Sequence, residues 1–399
     1  MSMLLNMGLA RILGPSMLGL YQYYLSIISL ITVISLFGAE DTIVSKISKY
    51  SLKNDKGLLK SIHCFFLRAI SLIGMFFLPV ILLIINIKSD QSLKYIFALV
   101  FLSLLSSYEK FYGAILIGFK EQIKSVLVVN VMGPIFFLLI LTFNGPINDF
   151  ENVLYLRAVS YFLIISFLIF NCKKYLFISE KFKIIHYRRS WLKASFFVFA
   201  ISLTNFAIAL VDNYFLITFL NTTSVSFYNI CYKISAFISF GLIIFSLMLA
   251  PLIQGYVSDE HDKVLFQSNV NEFIKINFIF SLILFLIIML MGEEILALFG
   301  SEFKDALPVL KVLSLAHFSR SLFGPVNIIL LMTNLKNHLF YITIIKFIIH
   351  LTLNHTLISW YGTVGVCISE FLSLGVVGLY CSHVCYKRFK INTSITAII

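Results

Sequence analysis

The stretch running from Lys173 to Lys193, K-K-Y-L-F-I-S-E-K-F-K-I-I-H-Y-R-R-S-W-L-K, holds seven Lys or Arg in 21 residues. Long apolar runs fill the chain on either side of it, about six before and six after, each near the length of a membrane span. Cytoplasmic loops collect Lys and Arg because these charges resist translocation. The stretch is therefore expected to face the cytoplasm and to join two lobes of six helices, residues 1–172 and 194–399, with 173–193 as the inter-lobe loop. A nucleic-acid-binding loop on a soluble protein does not fit such neighbours, and no nucleic acid is expected as a partner.

Composition points the same way. The 399 residues are 59% hydrophobic and 13% charged, with a mean hydropathy of +0.95. A soluble domain carries roughly half apolar and a quarter charged residues. Forty-one Phe against seven Pro suit helices facing lipid. The six cysteines lie in or beside apolar runs, with no C-x-x-C pair and no extracellular framework, so they read as packing residues. The apolar start lacks a basic leader region, and A-R-I-L-G-P at 10–15 reads as a helix end rather than a cleavage site.

Spans are expected at 2–13, 17–38, 62–87, 93–118, 125–143, 153–172, 194–220, 226–253, 273–291, 308–332, 339–358 and 363–385. The first is too short for a hydrocarbon core of about 30 Å, which suggests a start site placed late. Basic residues then alternate by side. Lys46, Lys49, Lys53, Lys56, Lys60, Lys120, Lys124, the seven of the central stretch, Lys263, Lys336, Lys387, Arg388 and Lys390 fall on one side, nineteen in all. Lys88, Lys94 and Lys304 fall on the other. Nineteen against three supports twelve spans with both termini cytoplasmic. The expected fold is an all-α integral membrane protein.

The halves echo each other. L-A-R-I-L-G-P-S-M-L-G-L-Y-Q-Y at 9–23 aligns with L-I-T-F-L-N-T-T-S-V-S-F-Y-N-I at 216–230, an offset of 207. I-L-I-G-F-K-E-Q at 115–122 aligns with L-M-T-N-L-K-N-H at 331–338, an offset of 216. Such a duplication predicts two pseudo-symmetric lobes around a central cavity, as in two-lobed transporters.

These segments carry a resemblance. A-R-I-L-G-P-S-M-L-G-L-Y at 10–21 resembles the opening signature of bacterial polysaccharide transporters, the Wzx-type O-antigen flippases of the multidrug/oligosaccharidyl-lipid/polysaccharide (MOP) exporter superfamily. V-D-N-Y-F-L-I-T-F-L-N-T-T-S-V-S-F-Y-N-I-C-Y-K-I at 211–234 is similar to that family's seventh span, with Phe227 where a Gly is usual. E-E-I-L-A-L-F-G-S-E-F-K-D-A-L-P-V-L-K-V-L at 293–313 and I-S-W-Y-G-T-V-G-V-C-I-S-E at 358–370 follow in family order. The resemblance implies an undecaprenyl-pyrophosphate-linked oligosaccharide as cargo, an O-antigen or capsule repeat unit. It further implies the bacterial inner membrane and other surface-polysaccharide assembly proteins as partners.

Ionisable side chains deep in a span are costly and become candidates for function. Arg11, Arg68, Arg157 and Lys311 lie near interfaces, where snorkelling is the plain alternative to a cargo role. Asp212 and Lys233 fall at matching depth, roughly 10–12 Å inside at 1.5 Å per residue. An ion pair between them is expected, opened by H+ or Na+ binding at Asp212. His317 and Arg320 share one helical face, and Lys346 and His350 another. Together with Arg68 and Arg11 these are the candidate cationic lining for pyrophosphate, which guanidinium binds through paired hydrogen bonds. The alternative is that they pair with Glu370 or Glu109, the other intramembrane acids beside Asp212. Tyr108 and Tyr112, near Glu109, are candidates for stacking on sugar rings.

The leading reading is a flippase working by alternating access and driven by an ion gradient. The chain contains no G-x-x-x-x-G-K-[ST], so no ATP hydrolysis, catalytic residue, metal or cofactor is expected. Two alternatives stand beside it. A drug/cation antiporter of the same superfamily would need an acidic cavity. A glycosyltransferase, polymerase or ligase acting on the same lipid-linked substrate would want sizeable outer loops, and the longest here, 292–307, is short.

Overall fold

A computed structural model describes residues 2–52, 56–86, 93–144, 150–176, 188–242, 263–332 and 335–395, with Ile244, Leu249 and Ile253 as isolated positions. The central part of the basic stretch, 177–187, and Lys53 and Lys88 lie outside the described residues. All regular structure among the described residues is helical: α1 (Ser2–Leu36), α2 (Ala39–Leu52), α3 (Lys56–Asn86), α4 (Leu93–Gly118), α5 (Gln122–Leu127), α6 (Gly133–Phe143), α7 (Phe150–Leu176), α8 (Arg188–Phe219), α9 (Thr222–Ala236), α10 (Lys263–Ala297), α11 (Leu307–Ser321), α12 (Val326–Met332), α13 (Lys336–Tyr361) and α14 (Thr363–Phe389). Nine helical runs among these residues are long and apolar enough to cross a membrane. The chain is a multi-pass membrane protein.

The difference between nine and twelve has local causes. The first two expected spans form one run, α1, interrupted at Gly14, whose φ of 69° and following Pro15 break the helix where A-R-I-L-G-P marked an end. The expected eighth span is α9, starting earlier at Thr222 and passing into a 3-10 turn at Phe237–Ser239, with most of 243–262 outside the described residues. The expected tenth span, 308–332, is not continuous. It divides into α11 and α12 around Gly324, at φ 65°, and Pro325. The expected outer loop at 292–307 is also corrected: α10 continues to Ala297, and Ser301–Ala306 form a 3-10 turn.

Two compact units divide the chain. The first is Met1–Leu13 with Tyr23–Leu210, and the second is Gly14–Gln22 with Val211–Ile399. The division falls inside α8 rather than in the basic stretch.

In the first unit α4 packs against α2, α3 and α7. The amphipathic α2 turns Ile43 and Ile47 into the core, 1% and 0% exposed, while Asp41 and Lys49 stay in the open. Its Tyr50 hydroxyl accepts a 3.0 Å bond from Trp191 Nε1, which fixes the start of α8. Between α5 and α6 a π-helical turn at Val128–Met132 precedes Gly133 and Pro134. Proline cannot donate to the ladder, so the register shifts upstream of it. On the outside Phe162, Leu163, Phe167 and Phe170 are exposed, a surface suited to lipid tails.

In the second unit α14 packs against α11, α12 and α13, and α11 packs against α9 and α10. Residues Gly14–Gln22 join this unit through a close approach to the start of α9. A Cβ on Gly19 would lie 1.7 Å from the Thr222 carbonyl oxygen, so only glycine fits. Asn221 starts α9 by accepting the Ser224 N–H at 2.8 Å. All six cysteines are free thiols, five of them buried.

Candidate functional site

The second unit holds a polar cluster inside an apolar packing. It starts at Asp212 on α8, which is 3% exposed. A carboxylate this deep is tolerable only if its lone pairs are used. Three donors use them. Tyr228 Oη donates to Oδ2 at 2.8 Å, and His350 Nε2 and Asn354 Nδ2 donate to Oδ1 at 2.6 and 2.7 Å. One residue along, Asn229 Nδ2 donates to Asn213 Oδ1 at 2.7 Å.

From His350 the cluster passes to α14. His350 Nδ1 lies 3.3 Å from Ser373 Oγ and 3.6 Å from Glu370 Oε2. Glu370 Oε1 accepts from Lys346 Nζ at 3.2 Å. Lys346, His350 and Asn354 follow at intervals of four along α13, so one face of that helix supplies all three. His350 and Asn354 are fully buried.

Several expectations change here. Asp212 does not pair with Lys233. Tyr228 is the residue of α9 that meets Asp212, and five residues later the helix has turned by about 140°. Lys346 and His350 are not unpartnered cations. Both meet Glu370, the stated alternative, Lys346 Nζ at 3.2 Å and His350 Nδ1 at 3.6 Å, while the shorter contact of His350, to Asp212, was not among the expected pairings. His317 is 2% exposed; its Nδ1 meets Ser239 Oγ at 3.1 Å, its ring sits edge-on to Tyr232 at 5.1 Å, and its Nε2 is buried without a partner.

Arg320, one turn beyond His317 on α11, is half-buried, and no hydrogen bond or ion pair joins it to any described side chain. Tyr228, Asn354 and Ser373 were not anticipated. The signal for Asn354 was available, since it extends the Lys346–His350 stripe by one turn. Tyr228 stands on Tyr21 in the internal repeat, which marks the position but not its partner, and nothing local marked Ser373.

The remaining candidates lie in the first unit. Glu109 on α4 is 7% exposed, with Oε1 3.7 Å from where a Cβ on Gly133 would stand. Arg157 on α7 lies over the rings of Phe137 and Tyr161, at 4.9 and 4.3 Å, and donates to the Tyr161 hydroxyl at 3.2 Å. Arg11 and Arg68 are exposed. Tyr112 is buried, and the Tyr108 hydroxyl is bonded to Ser71 Oγ at 2.8 Å.

Among the described residues no group of three or more His, Cys, Asp or Glu is placed to hold a metal ion. What the second unit offers is a buried carboxylate with three donors, wired through an imidazole to a second carboxylate, and a guanidinium that makes no ion pair with any described acid.

Comparison with known proteins matches the fold. An inward-facing multidrug resistance MATE family transporter of the MOP superfamily is similar, with a TM-score of 0.79, at 14% identity over 97% of this chain and 94% of that one. The outward-facing conformation of a MATE family transporter matches with a TM-score of 0.67, at 13% identity over 97% and 92%. A MOP superfamily transporter from Pyrococcus furiosus, described as having a binding pocket of reverse polarity that suggests a different function, matches with a TM-score of 0.60, at 15% identity over 97% and 96%. No curated protein sequence matches. The profile of the family described as "Polysaccharide biosynthesis protein" matches residues 1–255. The chain has the MOP transporter fold, and it belongs to the polysaccharide biosynthesis protein family.

Proposed function

We propose that the protein is a flippase for an undecaprenyl-pyrophosphate-linked oligosaccharide, an O-antigen or capsule repeat unit, in the bacterial inner membrane. Membership in a polysaccharide biosynthesis family supports the cargo class, and the MOP fold supports transport by alternating access rather than an enzymatic step. The observation that carries the reading is Arg320. It is a half-buried guanidinium on a broken, apolar helix, with no hydrogen bond or ion pair to a described carboxylate. Guanidinium meets pyrophosphate with parallel hydrogen bonds, and an anionic head group supplies the charge that the protein withholds.

A cation antiporter needs an acid its cargo can reach. The acids of the polar cluster, Asp212 and Glu370, are each 3% exposed and hold internal donors, which argues against that alternative. The Asp212–His350–Glu370 chain is the coupling element of the proposal, responding to H+ or Na+. The lipid tail stays in the bilayer while the head group crosses, and other polysaccharide-assembly proteins supply and take up the cargo.

The test is flipping of native lipid-linked oligosaccharide in proteoliposomes, comparing the intact chain with Arg320→Ala inserted to equal levels. Loss of flipping of about tenfold or more in the variant is expected, since a charge-assisted contact is worth at least that factor. Flipping unchanged by the substitution removes Arg320 from the cargo path. No flipping by the intact protein, with or without an ion gradient, overturns the flippase reading.

A further inference from the structure

We infer that the ion coupled to this unit is a proton rather than sodium, and that His350 is the residue that carries it and sets that choice. The inference deepens the coupling role proposed above and rests on it.

The hydrogen bonds fix where a proton can be added. Asp212 Oδ1 and Oδ2 can only accept, so His350 Nε2, at 2.6 Å, carries a hydrogen. A neutral His350 therefore has a bare Nδ1. That nitrogen faces two groups, a hydroxyl able to serve either state and a carboxylate oxygen able to serve the protonated one. The Ser373 hydroxyl can donate to Nδ1 at 3.3 Å, or turn to the Glu370 main-chain carbonyl at 3.1 Å and accept from a protonated Nδ1. Glu370 Oε2, 3.6 Å from Nδ1, is a buried acceptor without a hydrogen-bond donor. Binding is then a plain step. One N–H bond forms at Nδ1, one O–H bond of a hydronium breaks, and the Nε2–H bond to Asp212 is untouched.

Charge favours that step. With a neutral imidazole, Asp212, Glu370 and Lys346 leave this buried group one net negative charge. With an imidazolium the group is neutral, which suits a site out of water. Among the described residues, Tyr228 and Tyr232 on α9 and Cys367 on α14 interact electrostatically with Asp212 and Glu370, His317 on α11 with Lys346, and Arg320 on α11 with Tyr232 and His317. None of these is an additional carboxylate, and Arg320, half-buried, makes no ion pair with Asp212 or Glu370, so within the buried hydrogen-bonded set of Asp212, Glu370, Lys346 and His350 one proton completes the balance.

The same wiring is unsuited to sodium. A hard cation needs a shell of inward-facing oxygen lone pairs. Here Asp212 is engaged by three donors and Glu370 Oε1 by the Lys346 ammonium. Only Glu370 Oε2 and Asn354 Oδ1 remain as buried acceptors without donors in this cluster. Two oxygens beside an ammonium and an imidazole do not make a sodium shell.

The experiment uses the full chain in detergent and needs no cargo. Its melting midpoint is followed across the histidine range of pH, in KCl and in NaCl at equal ionic strength, for the wild type and His350→Gln. The wild-type midpoint is expected to fall by about 3 °C or more as pH rises and the proton leaves. The step flattens in the variant, and exchanging KCl for NaCl changes nothing. In parallel, [15N]histidine NMR is expected to show an imidazolium at acid pH that is missing from His350→Gln. A saturable, sodium-specific rise in midpoint overturns the inference, as does a pH step of full size in the variant, or a His350 that stays neutral throughout.

If His350→Gln does not fold, Ser373→Ala keeps the Asp212–His350 bond and removes one Nδ1 partner. Its pH step should then move along the pH axis, and an unmoved step overturns the inference. Failed flipping with the pH step intact removes the cargo reading alone, while intact flipping with a sodium response removes the proton alone.

Discussion

At the scale of residues, the second unit is organised by one carboxylate. Asp212 has three donors and almost no exposure, so its removal strands Tyr228, His350 and Asn354 together. Asp212→Ala is expected to cost about 3 kcal/mol or more, the usual consequence of leaving a buried charge partner uncompensated. Tyr228→Phe deletes a single donor and should cost about 1 kcal/mol. Thermal melting in detergent measures both, and equal losses would mean that the cluster does not centre on Asp212. That Asp212 and His350 are buried ionisable groups was legible in the sequence, because both lie inside apolar runs, where such groups are rare and expensive. Their partnership was not. Depth along a helix can be counted from a sequence, and it pointed to Lys233, but the angle around the helix and a neighbour 138 residues away come from tertiary packing.

At the scale of elements, the break between α11 and α12 is held by the end of the chain. After Lys390 turns at φ 56°, Ile391 and Thr393 are buried, at 1% and 0% exposed. Asn392 exchanges two hydrogen bonds with Gln267, and the Ile395 N–H donates to the Leu322 carbonyl at 3.0 Å, a group left open by the end of α11. Gly324 sits under this tail, where a Cβ would stand 2.3 Å from the Thr393 carbonyl oxygen. Gly324→Ala thus carries a clash in addition to about 1–2 kcal/mol for the left-handed backbone. In a chain truncated before Ile391 the clash is gone, so the penalty should shrink by about 1 kcal/mol in a double-mutant cycle of melting. An unchanged penalty would assign the whole cost to the backbone. The Gly324–Pro325 pair is a break signal that hydropathy alone ran through. The tail contact has no signal in a linear reading, since an exposed and a docked terminus look the same there.

At the scale of the molecule, the internal repeat was the most informative sequence feature after hydropathy. Its offset of 207 places Gly14, where α1 breaks, on Asn221, which starts α9, so both copies interrupt their helices at the equivalent position. Membrane sidedness rests on the basic residues and is directly measurable. Lys304 lies between α10 and α11 and is half exposed, and Lys387 lies exposed at the end of α14. Three expected spans separate them: the broken α11–α12, then α13, then α14. An odd number places the two lysines on opposite faces, and the nineteen-to-three distribution puts Lys304 outside. Lys304→Cys should therefore react with a membrane-impermeant maleimide in intact cells, while Lys387→Cys should react only after permeabilisation. The native thiols give little background because five of the six are buried. Labelling of both from outside would mean that one of the three does not cross, and the α11–α12 pair, the interrupted one, is where the chain would turn back. The reverse pattern would keep the span count and invert the protein, placing the basic loops on the face where translocation resists them.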